Sequence, residues 1–259
     1  MLVLLPPSEG KSAPRRGRRL DLSTMAFPEL EPARAAVLDA LVELCSSRPP
    51  EEATKVLGVG TTQLDLVHRN AGLASAPTTR ADRVYSGVLY EALDLGSLPS
   101  AARRRASSRL AVVSSLFGLV RTTDHIPAYR LSGQNSLPGL GSVSGHWANH
   151  LDPTVEQAAG NGLVVDLRSS SYTPFWRPST TRAPKVATVR VLHDVNGKRT
   201  VVSHFNKATK GRLVRDLLFD GSTPRTPARL AELLHDLGWT VETADDKHTA
   251  RLDVVVSRL

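Results

Sequence analysis

The spacing of apolar residues along the chain predicts a series of helices. From residue 32 to residue 45, apolar side chains recur every three or four positions after Pro32, a residue that suits the first turn of a helix. A helix with this spacing buries one apolar face and leaves the other in water. Similar patterns predict further helices over residues 62–71, 81–93, 147–159 and 207–219, and a last helix that ends at His235.

Uninterrupted apolar runs predict buried strands. The first run, LVLL at residues 2–5, stops at two prolines and therefore places the sequence SEGKS, residues 8–12, on a loop at the end of a strand. Asn196-Gly197 lies between two further runs and is the strongest hairpin signal in the chain. The predicted strands cover residues 2–5, 110–113, 163–167, 185–192 and 200–205, with two more near residues 239–243 and 253–256.

The predicted helices and strands are mixed along the chain, without an internal repeat or a clear linker. Residues 114–120 are expected to form a loop or short helix, and residues 131–145 an irregular loop or short hairpin. A chain of 259 residues can bury about 70–75% of its unfolded surface. Its hydrophobic content of 41% and charged content of 22% are those of a globular protein. We therefore predict a single domain of the α+β (mixed α/β) class over residues 1–259.

The cysteine content and the amino-terminal segment bear on the compartment. Cys45 is the only cysteine, so no intrachain disulfide can form and nothing points to an oxidising environment. The opening apolar run ends at Pro6, which makes it too short for a signal peptide or a membrane span. We expect a cytoplasmic protein with no membrane partner.

The charge of the chain indicates a polyanionic partner. Lys and Arg number 33 against 25 Asp and Glu, giving a formal net charge of +8, and 26 of the cations are arginines. A GC-rich genome also favours arginine over lysine, but it does not explain the net excess, which favours association with polyanions. Phosphate suits the planar guanidinium fork. The basic residues form three clusters in the sequence, which are Arg15, Arg16, Arg18 and Arg19; Arg103, Arg104, Arg105 and Arg109; and Lys207, Lys210, Arg212 and Arg215.

Several short motifs resemble known sites but lack an essential part. Gly10-Lys11-Ser12 matches the end of a phosphate-binding P-loop, yet Leu5 stands where the first glycine is required. Ser8 and Lys11 have the spacing of the penicillin-binding enzymes, whose accompanying motifs are absent. His146 and His150 could share a helix face, but no third metal ligand is evident. The sequence therefore predicts no metal site and no cofactor.

Five segments, taken together and in order, resemble the bacterial YaaA family of peroxide stress proteins. The chain departs from the family pattern at Glu9-Gly10, Asp166 and Arg168, where Pro-Ala, Asn and a small residue are common. The resemblance implies a single compact domain with a mixed sheet, surrounding helices, a positively charged cleft and a helix-hairpin-helix-like element. The resembling segments are PSEGKS (7–12), VYSGVLYEALD (84–94), SSLFGLVRTTDHIPAYRLSG (114–133), VVDLRSSSY (164–172) and VSHFNKATKGRLVRDLL (202–218).

The same resemblance implies a function and a set of binding residues. The function is DNA binding, to double-stranded or branched DNA, in the peroxide or oxidative stress response, with protection against oxidative damage linked to intracellular iron. We expect a monomer. The implied nucleic-acid-binding residues are Ser8, Lys11, Gly118, Arg121, Tyr129, Arg130, Ser169, Tyr172, Lys207, Lys210 and Gly211.

An enzyme is the alternative function. The same cleft could act on a nucleotide, a nucleobase or nucleic acid, or could hold a phosphate-bearing small molecule. Lys11 with a lowered pKa, or Asp166, would then be the candidate general base if the two converge in a pocket. The choice between the two functions depends on whether the basic residues line an open track or a closed pocket.

Overall fold

The structure is a computed structural model that describes residues 1–196, 198–200, 203–246 and 249–257. Its strands are β1 (Leu2–Leu5), β2 (Thr79–Arg80), β3 (Leu110–Ser114), β4 (Gly118–Arg121), β5 (His125–Ile126), β6 (Ser136–Leu137), β7 (Gly141–Ser142), β8 (Val164–Asp166), β9 (Val186–Val195), β10 (Lys198–Thr200), β11 (Thr240–Asp246) and β12 (Thr249–Val256). Its helices are α1 (Glu31–Ser47), α2 (Pro50–Leu57), α3 (Leu64–Ala71), α4 (Ala81–Val84), α5 (Val88–Leu93), α6 (Ser100–Arg109), α7 (Val143–Ala148), α8 (Leu151–Ala159), α9 (Ser203–Asp220) and α10 (Pro227–Asp236).

A mixed sheet forms the centre of the protein. Its strand order is β11-β12-β9-β8-β1-β3-β4, and β10 pairs with β9. The five strands from β12 to β3 are parallel, whereas β4, β10 and β11 run antiparallel to their neighbours. Strand β1 is buried along its whole length, as its uninterrupted apolar sequence predicts. The mixed α/β class and the single compact domain predicted from the sequence are confirmed.

The order of the strands brings three distant segments to one edge of the sheet. Leu4 of β1 pairs with Ala111 of β3 on one side and with Asp166 of β8 on the other. Because the three strands are parallel, the residues that follow them meet at their common carboxyl ends. Strand β3 lies on one side of β1, and β8, which comes later in the chain, lies on the other side. The direction in which strands are added therefore reverses at β1, and this edge is a topological switch point, where open α/β sheets bind their ligands.

Most of the predicted elements are present, with bounds that differ by a few residues. One predicted helix, over residues 81–93, is divided into α4 and α5 at Gly87, whose φ of 89° belongs to the left-handed region. The helix predicted over residues 147–159 is likewise two helices, α7 and α8. Residues 131–145 contain the short β6–β7 hairpin, as expected.

The chain around the Asn196-Gly197 signal is partly as predicted. β9 and β10 pair antiparallel on either side of it, while Gly197 lies outside the described residues, as do Val201 and Val202 of the predicted strand over residues 200–205. Residues 203–205 belong to α9, so the strand prediction was wrong there.

The expectation of a loop or short helix over residues 114–120 was also wrong, because this segment is the β3–β4 hairpin. Ser114 Oγ accepts hydrogen bonds from the backbone N–H groups of Leu116 and Phe117 and so closes the turn. Gly118 begins β4 with a φ of 68°, and a Cβ there would lie 2.5 Å from Trp147. Residues 114–121 therefore fold as strand, turn and strand, and they do not form a helix-hairpin-helix.

A buried arginine holds this hairpin against the first long helix. Arg34 of α1 is fully buried, and its guanidinium donates to the backbone oxygens of Phe117 and Leu119 at 3.0 and 2.9 Å. It also donates to the oxygens of Ala26 and Phe27. One side chain thus donates to four backbone carbonyl groups from two segments of the chain.

In the described part of the chain, no helix combines the length and the apolar character needed to cross a bilayer.

Candidate functional site

Polar groups follow each of the three parallel strands at the switch point. The loop after β1 carries Ser8 and Lys11, β3 ends with Ser114 and Ser115, and β8 ends with Asp166. The apolar strands place these polar residues at the edge because each strand stops where its hydrophobic run stops. This edge is the candidate site on topological grounds.

Lys11 lies at the centre of the site and is held by a carbonyl and by aromatic rings. Its Nζ donates to the backbone oxygen of Ser8 at 2.8 Å and lies 4.1 Å from the centroid of the Tyr129 ring. The Tyr85 ring is 5.9 Å away, and the backbones of Lys11 and Tyr85 form an antiparallel bridge. Within the described part of the chain, Lys11 forms no ion pair. Its ammonium charge therefore depends on a carbonyl dipole and ring faces for stabilisation.

These surroundings make Lys11 a weaker base than an ordinary lysine. The pKa of Lys11 is lowered from 10.5 to about 7, chiefly by loss of hydration, while Glu9 raises it and Arg130 lowers it by smaller amounts. Burial disfavours the charged form, and here it outweighs the nearby carboxylate. A large part of the Lys11 population is consequently the neutral amine at neutral pH.

A chain of hydroxyl groups lies beside Lys11. Ser114 Oγ and the Tyr129 hydroxyl are 2.7 Å apart, and the Tyr129 hydroxyl is 3.2 Å from that of Tyr85. Burial raises the pKa of both phenols, so they keep their protons at neutral pH. Tyr172 is also buried near them, and burial raises its pKa. The hydroxyls are neutral donors, and no phenolate neutralises the charge on Lys11.

An ion pair between Glu9 and Arg130 lies at the exposed side of the site. The two side chains are in direct contact, and Glu9 is exposed whereas Arg130 is partly buried. Asn70 fixes the backbone of Arg130 from both sides, accepting from its N–H at 2.9 Å and donating to its carbonyl at 2.7 Å. Arg130 Nε is buried and has no hydrogen-bond partner among the described residues. Arg130 thus keeps a buried donor that this part of the chain does not use.

We call Ser8, Lys11, Tyr85, Tyr129 and Arg130 the lysine site. Ser8 Oγ accepts from the backbone N–H of Ser86 at 3.1 Å and donates to the Gly10 carbonyl at 2.5 Å, which fixes the loop before Lys11. Tyr90 donates to the carbonyl of Pro6 at 2.7 Å and stacks on Tyr85. Among the predicted site residues, Ser8, Lys11, Tyr129 and Arg130 are brought together here.

The end of β8 carries a second group of predicted residues. Arg168 Nη2 and Nε donate to the Asp166 carboxylate at 2.7 and 2.9 Å, and both residues are buried. Although burial opposes ionisation, Arg168 holds the pKa of Asp166 below its ordinary value. Lys210 Nζ donates to the carbonyl of Leu167 at 3.0 Å, and burial lowers the pKa of Lys210 to about 8. Asp166 is therefore the ionised partner of an arginine, which makes it a poor general base at neutral pH.

The remaining predicted residues serve different parts of the fold. Arg121 lies at the opposite end of β3, opposite Ala111, where its guanidinium donates to the carbonyls of Ser108 and Leu110 and stacks on Phe27. Gly118 and Gly211 permit close packing, since a Cβ at Gly211 would lie 2.3 Å from the Leu89 carbonyl. Lys207 and Ser169 are exposed on α9 and after β8.

The two histidines at helical spacing are engaged with the backbone. His146 Nε2 lies 3.0 Å from the Ala33 carbonyl oxygen, and His150 Nδ1 lies 2.8 Å from that of His146. Over the ranges the structure describes, no three His, Cys, Asp or Glu side chains are grouped closely enough to hold a metal ion.

A second basic feature, which we call the arginine groove, consists of Arg80, Arg83, Arg103 and Arg104. These residues line an open cavity of about 360 Å³ between the start of α4 and α6, together with Asp82, Leu95, Gly96 and Ser107. Arg80 is paired with Asp82 at 2.6 Å. The other three arginines are exposed, and in the described part of the chain none of them has an ion-pair partner.

The arginine groove was not predicted, although Arg103 and Arg104 belong to a cluster noted in the sequence. The helix α6 separates that cluster by face: Arg105 and Arg109 turn to the end of α9, where they donate to carbonyls of Leu218, Phe219, Gly221 and Ser222. Cations at a helix carboxyl end stabilise it. Recognition of a helix over residues 100–109, from Ala102 and Ala106 one turn apart, would have divided the cluster in this way.

Comparison with known proteins identifies the family of this chain. The family model described as peroxide stress protein YaaA matches residues 1–244. A UPF0246 protein of Streptomyces coelicolor is 50% identical over 259 residues, covering 99% of this chain and 98% of the relative. A UPF0246 protein of Corynebacterium efficiens is 40% identical over 245 residues, covering 93% of this chain and 95% of the relative. The chain therefore belongs to the YaaA family of peroxide stress proteins.

Proposed function

We propose that this protein binds DNA in the peroxide stress response and that the arginine groove is the surface that contacts the phosphate backbone. One observation carries the proposal: Arg83, Arg103 and Arg104 are exposed side by side around one open cavity without ion-pair partners in the described chain. Arginines in this state can exchange water and counterions for phosphate oxygens. A net charge of +8 supports the same class of partner.

The groove suits this role better than the cations near the switch point. Lys210 and Arg121 already donate to backbone carbonyls, and Lys11 donates to Ser8. Phosphate contact would require these bonds to break, whereas the side chains of Arg103 and Arg104 make no such bonds to the described residues. We therefore assign the first contacts with DNA to the groove, with Lys207 and the exposed arm at Arg15 to Arg19 as further candidates.

The experiment is a binding titration of the full chain with a fluorescent duplex between about 50 and 200 mM salt. The variant carries Arg83→Glu, Arg103→Glu and Arg104→Glu together. We expect its logarithmic salt dependence to fall by about 0.9 for each phosphate contact that is lost. Arg225→Glu is the single-site control, because Arg225 is exposed and lies outside the groove. Equal affinity of the triple variant and the parent at low salt would refute the assignment.

Three finer features of the function stay predictions. A branched duplex in the same titration tests the preference for DNA structure, and ultracentrifugation tests the monomer. Protection against iron-linked oxidative damage in the cytoplasm is tested by peroxide survival of cells that carry the triple variant.

A further inference from the structure

The lysine site has the properties of a reactive centre. The proposed DNA contact through the arginine groove gives this site no role. Lys11 is partly buried over the Tyr129 ring and forms no ion pair in the described chain, and its loss of hydration outweighs the nearby carboxylate of Glu9, which favours the charged form. Lysines that act as nucleophiles toward carbonyl groups are made neutral by desolvation of this kind. The site lies at the switch point of the sheet, where such chemistry is expected.

We propose that Lys11 is the nucleophile of a site that forms an imine with the open-chain aldehyde of a phosphorylated pentose. The source that the molecule favours is an abasic nucleotide in DNA, and this part of the proposal rests on the proposed function. Loss of a base leaves a deoxyribose with an aldehyde at C1′ and with phosphates on either side. A free sugar phosphate presents the same chemistry, and the experiment distinguishes the two.

The phosphate part of the ligand is argued from Arg130. Its Nε is buried without a hydrogen-bond partner in the part of the chain that the structure describes, and its terminal nitrogen is paired with the exposed carboxylate of Glu9. A phosphate next to the aldehyde can take the place of that carboxylate and occupy the unused Nε in the same fork geometry. Asn70 forms hydrogen bonds with both the N–H and the carbonyl of Arg130, so the backbone that carries the guanidinium is fixed.

The lysine site and the arginine groove are joined by a single helical turn. Arg83 lies on α4 and lines the groove, and Tyr85, two residues later, forms the backbone bridge to Lys11. The N–H of Ser12 also donates to the carbonyl of Val84 at 2.8 Å. The same turn thus carries an arginine of the groove and the backbone partner of Lys11, two residues apart in the chain.

The chemical step needs no external oxidant or reductant. The lone pair of the neutral Nζ forms a C–N bond to the aldehyde carbon, and the carbonyl π electrons move to its oxygen, which takes up a proton. That proton comes from the nitrogen. The hydroxyl of the resulting carbinolamine takes one further proton from solvent and leaves as water, while the nitrogen lone pair forms the C=N bond of a protonated imine. The hydroxyl groups of Tyr85 and Tyr129 keep their protons at neutral pH, so neither becomes a phenolate that would favour the charged form of the amine.

The test is reductive trapping of the imine with cyanoborohydride. The full chain is incubated with a duplex that contains one abasic site and, separately, with ribose 5-phosphate, and the adduct is located by peptide mass mapping. We expect the adduct on Lys11, and we expect Lys11→Arg to reduce trapping by about tenfold or more, because guanidinium does not form imines. Lys55→Arg is the matched control, since Lys55 is exposed on α2 and lies outside both basic features.

The outcomes separate this proposal from the proposed function. An adduct on the Met1 amine, whose pKa is lowered by burial and by Arg109, or one spread over several lysines, would overturn the role of Lys11. Binding of the abasic duplex without trapping of either probe overturns it too, while leaving DNA binding intact. Trapping of ribose 5-phosphate on Lys11 without any DNA binding supports the nucleophile, assigns the free sugar phosphate as its source, and refutes the proposed function. Mapping on the parent protein does not depend on how the variants fold.

Discussion

The lysine site and the arginine groove are both basic, but their surroundings give their charges different uses. In the groove, Arg83, Arg103 and Arg104 are exposed and stay charged in water, so they can attract phosphate. In the lysine site, Lys11 has lost much of its hydration and forms no ion pair in the described chain, and its pKa is lowered to about 7. Net charge alone does not distinguish a binding surface from a reactive centre. Burial and hydrogen-bond partners do.

The comparison extends to a third environment, a buried cation whose three guanidinium nitrogens all donate hydrogen bonds. Arg34 donates to four backbone carbonyls, so we expect Arg34→Met to remove these hydrogen bonds and to lower the free energy of unfolding by about 3–5 kcal/mol. Urea unfolding measures the loss. Arg48→Met, at an exposed pair with Glu52, should change stability by less than about 1 kcal/mol. A small loss in Arg34→Met would show that burial alone does not make a cation structural.

A smaller effect is expected in the pH dependence of stability. The folded-state pKa of Lys11 is about 7 and its ordinary value is 10.5, so between these values the unfolded chain binds more protons than the folded one. Stability should therefore rise with pH in this window, with Lys11 contributing up to about 1.4 kcal/mol per pH unit. Lys11→Met removes this contribution.

Urea unfolding of the parent and of Lys11→Met at pH 7 and pH 9 checks this prediction. The stability difference between them should change in favour of the parent as the pH rises. The contribution of Lys210 is present in both proteins and cancels in the difference. Lys55→Met is the exposed control. If the free energy of unfolding changed with pH equally in the parent and in Lys11→Met, the prediction would be wrong, and Lys11 would be a solvated cation like those of the groove.

The smallest effect on stability is expected in the groove itself. Arg104 is exposed and has no ion-pair partner in the described chain, so Arg104→Ala should leave the free energy of unfolding within about 0.5 kcal/mol. The same change should lower the logarithmic salt dependence of DNA binding by about 0.9. A stability loss comparable to that of Arg34→Met would contradict the distinction between the two environments. Thermal unfolding and the duplex titration supply the two measurements.

The sequence predicted the parts of the site that depend on local pattern. The apolar run of β1 places Lys11 after a strand end, because the prolines that follow it stop the strand. The strand β8 and most of the helix α9 were likewise predicted from the local pattern of apolar residues. The meeting of Lys11 with Tyr129 and Arg130 could not be read locally, since it depends on the pairing of β1 with β3 across more than a hundred residues.

Two further features were hidden for different physical reasons. The β3–β4 hairpin lacks an Asn-Gly signal, and its turn is closed by Ser114 Oγ and by the positive φ of Gly118, which a local pattern does not reveal. The helix α6 buries only alanines, Ala102 and Ala106, so its apolar face is too weak to show as a periodic pattern. The division of the arginine cluster into groove and helix cap followed from that missed helix.

The position of β1 between β3 and β8 also determines when the site exists during synthesis. Leu4 leaves the ribosome long before Ala111 and Asp166, with which it pairs. Parallel pairing over such separations is slow, because the intervening chain must first lose its freedom. A nascent chain that already contains Lys11 therefore has no neutral amine over a tyrosine ring, and the lysine keeps its ordinary charge in water. Any reactivity of Lys11 is thus a property of the completed sheet, and a chain cut short before β8 would carry the motif without the chemistry.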